Sequence, residues 1–109
     1  MINKAILIGN IGTSPEIKTL ESGHTVANFT MATNRNYQKN GEWETETQWH
    51  NVTAWRQLAE RCSELEKGMM VYVEGEIKYR KYVDNDGKEK WTTNIEARTI
   101  RKLDKKPKE

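Results

Sequence analysis

The chain has 109 residues, a formal net charge of +2 and a single cysteine, which is enough length for one domain and too little for a second independent core. Only 35% of the residues are hydrophobic and 31% are charged, so we expect a small sheet or barrel with a thin core. One cysteine and two histidines exclude a disulfide framework and an all-protein zinc site of the usual kind.

Alternating polar and apolar residues predict strands over most of the chain, and one segment changes to a helical period. In chain order we predict a first strand in two halves over Ala5–Ile8 and Glu16–Leu20, a second over Thr25–Asn34, a third over Thr45–Trp55, a helix over Arg56–Lys67, a fourth strand over Met69–Tyr82 and a fifth over Trp91–Ile100. The polar stretch Tyr37–Glu44 is interpreted as a loop. Gly68 stands where a helix cap belongs, and Asp84-Asn85-Asp86-Gly87 predicts a turn.

Five strands with one helix between the third and fourth is the element order of an OB-fold, an all-β, five-stranded Greek-key barrel. We assign residues 1–103 to this domain and residues 104–109 to a short basic end. The charge is unevenly placed: residues 1–97 hold 12 basic and 14 acidic side chains, giving −2, whereas residues 98–109 hold six and two, giving +4. Global charge therefore gives no argument for nucleic-acid binding by the body of the domain.

Two tryptophans fall on the polar face of the third strand. Side chains alternate between faces, so Trp49 and Trp55 lie opposite Val52 and Ala54, which are the better core candidates. Arg80 and Tyr82 share one face near the end of the fourth strand. Rings beside cations suit unpaired nucleic acid, because bases stack on the rings while Lys and Arg follow the phosphates. From this pattern alone, cover by a loop or a subunit interface remains an equal alternative.

Other aromatic and thiol side chains receive structural interpretations. Trp91 has the inward parity of Ile95 and is expected in the core. Trp43 lies in the predicted loop, where it either packs on its own hairpin or stacks on DNA. Tyr79 is expected in packing or an interface. Cys62, on the apolar stripe of the helix, is interpreted as a small buried hydrophobe.

Motifs along most of the chain resemble the bacterial and mitochondrial single-stranded DNA-binding proteins. They cover residues 3 to about 100 in the family's order. The matching segments are Asn3-Lys4-Ala5-Ile6-Leu7-Ile8-Gly9-Asn10-Ile11-Gly12, Pro15-Glu16, Val26-Ala27-Asn28-Phe29, Met31-Ala32-Thr33, Thr47-Gln48-Trp49-His50-Asn51-Val52, Leu58-Ala59-Glu60, Lys67-Gly68, Val71-Tyr72-Val73-Glu74-Gly75, Tyr79-Arg80-Lys81-Tyr82 and Thr92-Thr93. The resemblance implies an OB-fold that binds single-stranded DNA without sequence preference, without catalysis, and without a metal or cofactor. It also implies a homo-oligomer, usually a tetramer.

The resemblance also implies individual roles. The family's base-stacking positions fall on Tyr37, Trp49, Trp55 and Tyr82. Three of these differ in type from the best-known members, but each keeps a ring. Phosphate contacts are expected at Lys4, Lys67, Arg80 and Lys81, with Arg35 and Arg56 as further candidates. Trp43 matches no position of the family and stays a stacking candidate only because of its place in the predicted loop. His50 is expected at a subunit interface, with a satisfied core histidine as the alternative.

The C-terminal sequence departs from the family pattern. Family members typically continue into a tail with an acidic tip that recruits replication and repair enzymes, whereas this sequence ends Lys105-Lys106-Pro107-Lys108-Glu109. We therefore expect either a truncated form or a short natural member, and recruitment through an acidic tip is not carried over. With no long apolar run and no signal-peptide pattern, the expected location is cytoplasmic, with no membrane partner.

Two rival functions stay open. The nearest is an OB-fold protein-interaction module of the primosome type, with weak DNA binding. The other is an OB-fold nuclease, against which the sequence offers no cluster of carboxylates with a histidine or arginine on neighbouring loops. The sequence favours a non-enzymatic protein that protects exposed strands in DNA replication, recombination and repair.

Overall fold

The chain forms the closed five-stranded barrel with one short helix that the element order predicts. In the computed structural model, which describes residues 1–103, the elements are β1 (Ala5–Ile11), β2 (Glu16–Thr19), β3 (Thr25–Lys39), β4 (Glu42–Trp55), α1 (Arg56–Arg61), a 3-10 turn (Cys62–Glu64), β5 (Met70–Val83) and β6 (Glu89–Lys102). Since β1 and β2 both pair with β3, they are two halves of one barrel strand. The predicted OB-fold is confirmed, and the predicted basic end at 104–109 lies outside the described residues.

The sheet closes where β1 changes its partner. The strand order is β1-β5-β6-β4-β3-β2, and an additional β1–β3 pairing completes the barrel. Residues 5–10 pair with β5, whereas Asn10 and Ile11 pair with β3. A β-carbon at Gly9 would lie 2.1 Å from the carbonyl oxygen of Ala32. Only a glycine allows the two backbones to approach so closely, so closure of the barrel requires a glycine at position 9.

The core is one cluster built from one face of β1, β3, β4, β5 and β6 and from the apolar stripe of the helix. It consists of Ile11, Ala27, Phe29, Met31, Val52, Ala54, Ala59, Cys62, Leu65, Val71, Val73, Ile95, Ala97 and Ile100. Burial leaves Cys62 only 1% exposed and raises the pKa of its thiol to about 11. The thiol therefore stays protonated at neutral pH, as expected for a packing residue.

The predicted loop at Tyr37–Glu44 is wrong, because β3 and β4 run on into a long hairpin. Asn40 and Gly41 form its two-residue turn, with φ of 54° and 82°, and positive φ at both central residues is the geometry of a type I′ turn. Polar side chains hold the ladder: Thr45 donates to Asn36 at 2.9 Å and Thr47 to Asn34 at 2.8 Å. The segment lacks the apolar alternation from which the other strands were predicted, and cross-strand hydrogen bonds stabilise its two strands instead.

The helix is also shorter than predicted. It ends at Arg61 and continues as the 3-10 turn to Glu64. Gly68, which was expected to cap it, adopts φ of +92° beyond that turn. The Gly68 N–H donates to the carbonyl oxygen of Ile11 at 2.7 Å, so this glycine joins the chain to β1 just before β5 begins.

Two hairpins extend from the barrel as two-stranded arms. We call residues 34–47 the β3–β4 arm and residues 78–94 the β5–β6 arm; over these residues each strand pairs only with its hairpin partner. Their side chains are mostly exposed. Trp91 is 67% exposed, so its predicted position in the core is wrong. Its side chain is on the face that is buried inside the barrel, but in the arm the same face is exposed to solvent.

The tip of the β5–β6 arm is held by Asp84. Its Oδ1 accepts hydrogen bonds from the backbone N–H groups of Asp86 and Lys88, both at 2.9 Å. The Lys88 bond, followed by that of Asp86, holds the pKa of this carboxyl below its usual value. The predicted turn is therefore confirmed. No helix within residues 1–103 is long and apolar enough to cross a bilayer.

Candidate nucleic-acid interface

A polar groove lies on the outside of the barrel, between the first-strand loop and the three strands β3, β4 and β6. Its volume is about 510 Å³. It is lined mainly by hydroxyl and amide side chains: Thr13, Ser14, Glu16, Asn28, Phe29, Thr30, Asn51, Val52, Thr53, Arg80, Thr92 and Asn94. One cation and one carboxylate are present, so the groove offers hydrogen-bonding groups without a strong charge of its own.

An amide and hydroxyl chain fixes the floor of the groove. Asn94 Nδ2 donates to Thr53 Oγ1 at 2.8 Å, and Thr53 Oγ1 donates to Asn28 Oδ1 at 2.8 Å. This chain ties β6 to β4 and β4 to β3, and Thr53 is only 6% exposed. The sequence analysis assigned no role to Thr53, Asn28 or Asn94. The sequence indicates their orientation, because Asn28 and Asn94 each have the outward parity of a strand adjacent to β4.

Trp49 stands beside this groove on β4, two residues from Asn51. It is 64% exposed, which confirms its predicted outer position. Its ring lies over Gly12: a β-carbon there would be 2.3 Å from Cζ3 of Trp49 and 2.9 Å from Thr30 Oγ1. The sequence analysis assigned no role to Gly12, whereas in the structure the Trp49 ring packs against it.

Trp55 and Arg56 lie at the other end of the same face. Trp55 is the last residue of β4 and is half-buried. Arg56 is exposed and adopts φ of +60°, a left-handed conformation that is costly for a residue with a side chain. The sharp turn from strand to helix therefore sets the direction in which both side chains leave the barrel.

Two cations approach the groove from different elements. Arg80 lines it from β5, and Tyr82 follows on the same face, 45% exposed. Lys67 lies near the other end, since its backbone N–H donates to Ser14 Oγ at 3.3 Å. Arg80, Lys67 and Arg56 have no ion pair within residues 1–103.

Several predicted residues lie elsewhere. Tyr37 and Arg35 occupy the opposite face of the β3–β4 arm from Trp49; Arg35 lies 5.5 Å from the Tyr37 ring centroid and pairs with Glu46 at 3.3 Å. The Tyr37 hydroxyl donates to Glu44 at 3.2 Å. These side chains form a cluster of their own, apart from the groove.

The remaining candidates are also separate from the groove. Lys4 pairs with Glu74 at 3.4 Å, and Lys81 pairs with Glu89 on the other face of the β5–β6 arm. Trp43 is 71% exposed near the tip of the β3–β4 arm, and it lines a shallow cleft with Asn36, Glu44 and Thr45 of its own hairpin.

His50 faces inward on β4, opposite Met31. It is half-buried, and its Nε2 lies 2.9 Å from Thr33 Oγ1. The partnered ring is consistent with either of its two expected roles. In the part of the chain that the structure describes, no group of three or more His, Cys, Asp or Glu side chains is placed to hold a metal ion.

The arrangement matches the chemistry of a strand of unpaired bases. An exposed indole offers a flat surface for stacking, unpaired cations at either end offer charge for phosphates, and amides between them offer hydrogen bonds. A duplex fits less well, because its stacked bases are not free to lie on a side chain.

Comparisons with known proteins agree with this chemistry. The model of the single-strand binding protein family matches residues 2–103. Among solved structures, the chain is similar to a Plasmodium falciparum SSB in complex with single-stranded DNA, with a TM-score of 0.86 and 33% sequence identity. The alignment covers 95% of this chain and 97% of that one.

Substituting Gly12→Ala is expected to displace the Trp49 ring, because the added methyl group overlaps it. In a background with Trp43, Trp55 and Trp91 changed to Phe, the emission of Trp49 should shift and acrylamide should quench it more readily. Thermal unfolding of the same variant controls for a general loss of structure. An unchanged emission spectrum would show that the ring does not depend on Gly12.

Proposed function

This chain belongs to the single-strand binding protein family, and from that premise we propose how it binds single-stranded DNA: without sequence preference, by stacking bases on exposed rings and by pairing phosphates with Lys and Arg. The observation that carries the proposal is Trp49, held open to solvent beside a groove that Arg80 lines. Stacking is indifferent to sequence because every base has a π-face.

Stacking is assigned first to Trp49, Trp55 and Tyr82. Trp49 and Trp55 lie on the outer face of β4, a strand that lines the groove, and Tyr82 lies on the face of β5 that carries Arg80. Each keeps at least part of its ring open to solvent. Tyr37 is proposed as a further stacking position on the opposite face of the β3–β4 arm. Trp43 is the weakest candidate, because Glu42 and Glu44 flank it and repel phosphates.

Phosphate contacts are assigned first to Arg80, Lys67 and Arg56. Within residues 1–103 none of the three forms an ion pair that a phosphate would have to replace. Lys4, Lys81 and Arg35 each form an ion pair with a glutamate, which they must leave before they can bind a phosphate. The cost of leaving is small, because exposed ion pairs contribute little stability. Binding should therefore weaken as salt rises, because each neutralised phosphate releases counterions.

The proposed role is protection of exposed strands during DNA replication, recombination and repair. The family is one of non-enzymatic DNA-binding proteins, and we propose no catalytic activity for this chain. The expected location is the cytoplasm, at the nucleoid if the source is bacterial. No recruitment of replication or repair enzymes through an acidic tail is proposed.

We further propose that the chain acts as a homo-oligomer, in the first instance a tetramer. The outer face of β1 supports this, since Ile6 and Ile8 are each 54% exposed. Residues 5–9 pair with β5 on one side, while β3 is reached only from Asn10 onward. An apolar strand with an open edge is a template for pairing with another chain. His50, which is half-buried on β4, is also proposed to face a subunit interface.

Substituting both Trp49→Ala and Trp55→Ala is expected to weaken binding to oligo(dT) by about 1–3 kcal/mol for each ring, the usual range for stacking of one base. Fluorescence anisotropy of a labelled oligonucleotide measures the affinity. Trp43→Ala is the matched control, an exposed indole on an acidic arm, and should cost less. If wild-type protein fails to bind oligo(dT) at low salt, the proposed function is wrong.

Removing Arg80 should change the salt dependence of binding. For single strands the slope of log K against log salt concentration is about −0.7 for each phosphate neutralised, so Arg80→Ala should make it shallower by about 0.7. Lys4→Ala is the comparison, because Lys4 pairs with Glu74, six residues or about 20 Å along β5 from Arg80. Equal changes for both variants would contradict the assignment.

The substitution Ile8→Lys should lower the oligomeric state by placing a charge on the outer face of β1. Light scattering of the wild type is expected near four times the chain mass of 12.7 kDa, and the variant should scatter as a smaller species. Ile17→Lys is the control, since Ile17 is exposed on β2 instead. A wild-type mass of one chain would refute the oligomer.

A further inference from the structure

Two exposed rings lie outside the groove and have no part in the binding proposed above. Tyr79 is 70% exposed and Trp91 67% exposed. Both have the parity of Ile77 and Ile95, whose side chains face the core where the arm meets the barrel. Further along the arm the same face has no barrel beneath it, so the two rings meet solvent.

The two rings are close neighbours on one face of the β5–β6 arm. Tyr79 lies opposite Thr93, and Lys81 lies opposite Trp91, so the rings are diagonal partners. Diagonal neighbours in an antiparallel pair lie about 7–8 Å apart, within reach of aromatic side chains. The opposite face of the same arm carries Arg80 and Tyr82, so the arm presents rings on both of its faces.

Charge distinguishes this arm from the other. Residues 78–94 hold five cations and three carboxylates, giving +2, whereas residues 34–47 hold two cations and three carboxylates, giving −1. The cations of the β5–β6 arm are Lys78, Arg80, Lys81, Lys88 and Lys90. A basic ribbon with exposed rings is complementary to a polyanion whose bases are free to stack.

Resting on the proposed function, we propose that the Tyr79–Trp91 face of the β5–β6 arm is a second binding surface for single-stranded DNA. Bases of a bound strand stack on Tyr79 and Trp91 while Lys81 leaves Glu89 for a phosphate. An exposed ion pair contributes little stability, so Lys81 can exchange partners. A strand long enough to leave the groove contacts the arm on both faces, and Trp91 reports on the second contact.

The experiment uses a variant in which Trp91 is the single tryptophan, made by Trp43→Phe, Trp49→Phe and Trp55→Phe so that each stacking position keeps a ring. Unlabelled oligo(dT) of increasing length is titrated while Trp91 emission is followed. A labelled strand gives the affinity independently. The emission should be quenched on binding, and more strongly by long strands than by short ones.

A second experiment removes the two rings. Tyr79→Ser with Trp91→Ser should weaken binding of a long oligo(dT) by about fivefold or more for each ring. Val83→Ser is the matched control, because Val83 is 63% exposed on the same face but has no ring. Thermal unfolding verifies that all variants fold.

The outcomes separate this inference from the proposed function. If the strand binds with wild-type affinity while Trp91 emission stays constant and the double variant loses nothing, the second surface is wrong and the proposed function stands. If Val83→Ser and the double variant both lower the mass measured by light scattering without changing affinity, the face joins copies of this chain, and the inference is overturned. If the wild type binds no oligo(dT), both fail.

Discussion

Closure of the barrel depends on one close approach of two backbones. At Gly9, β1 passes within contact distance of the Ala32 carbonyl as it changes its partner from β5 to β3. Without that contact the β1 and β3 ends of the sheet would stay apart and no barrel interior would be enclosed. With it, one face of the sheet encloses the core, and the other carries the groove, Trp49 and Arg80 on the outside.

The arms follow a different rule from the barrel. Inside the barrel, parity decides burial, as Val52 and Ala54 show. In the arms the same parity leads to solvent on both faces, and the stability of each ribbon rests on its turn and its cross-strand pairs. Asp84 fixes one tip through two backbone hydrogen bonds, and Asn40 with Gly41 forms the other. The molecule thus has a thin core and two wide exposed surfaces.

Much of the fold follows from local patterns in the sequence. The order of strands and helix along the chain, the helix after Trp55 and the outer position of Trp49 could be predicted, because they depend on alternation and on a change of period. The failures share a cause. Tyr37 to Glu44 and Trp91 were placed by patterns that assume a core beneath every strand, whereas both lie in arms that extend beyond it. Gly12 and the Asn94–Thr53–Asn28 chain depend on contacts between distant strands. The parity of one strand shows that a residue faces outward, but not which residue of another strand it contacts.

The packing of the Trp49 ring against Gly12 has an energetic consequence. A free indole on a strand samples several rotamers, and fixing a rotamer-rich side chain at an interface costs about 0.5–1.5 kcal/mol. A ring that already rests on the backbone has lost part of that conformational entropy when the protein folds. A glycine, which contributes no side chain to any contact, thereby preorganises the aromatic surface and leaves more of the stacking energy available as affinity.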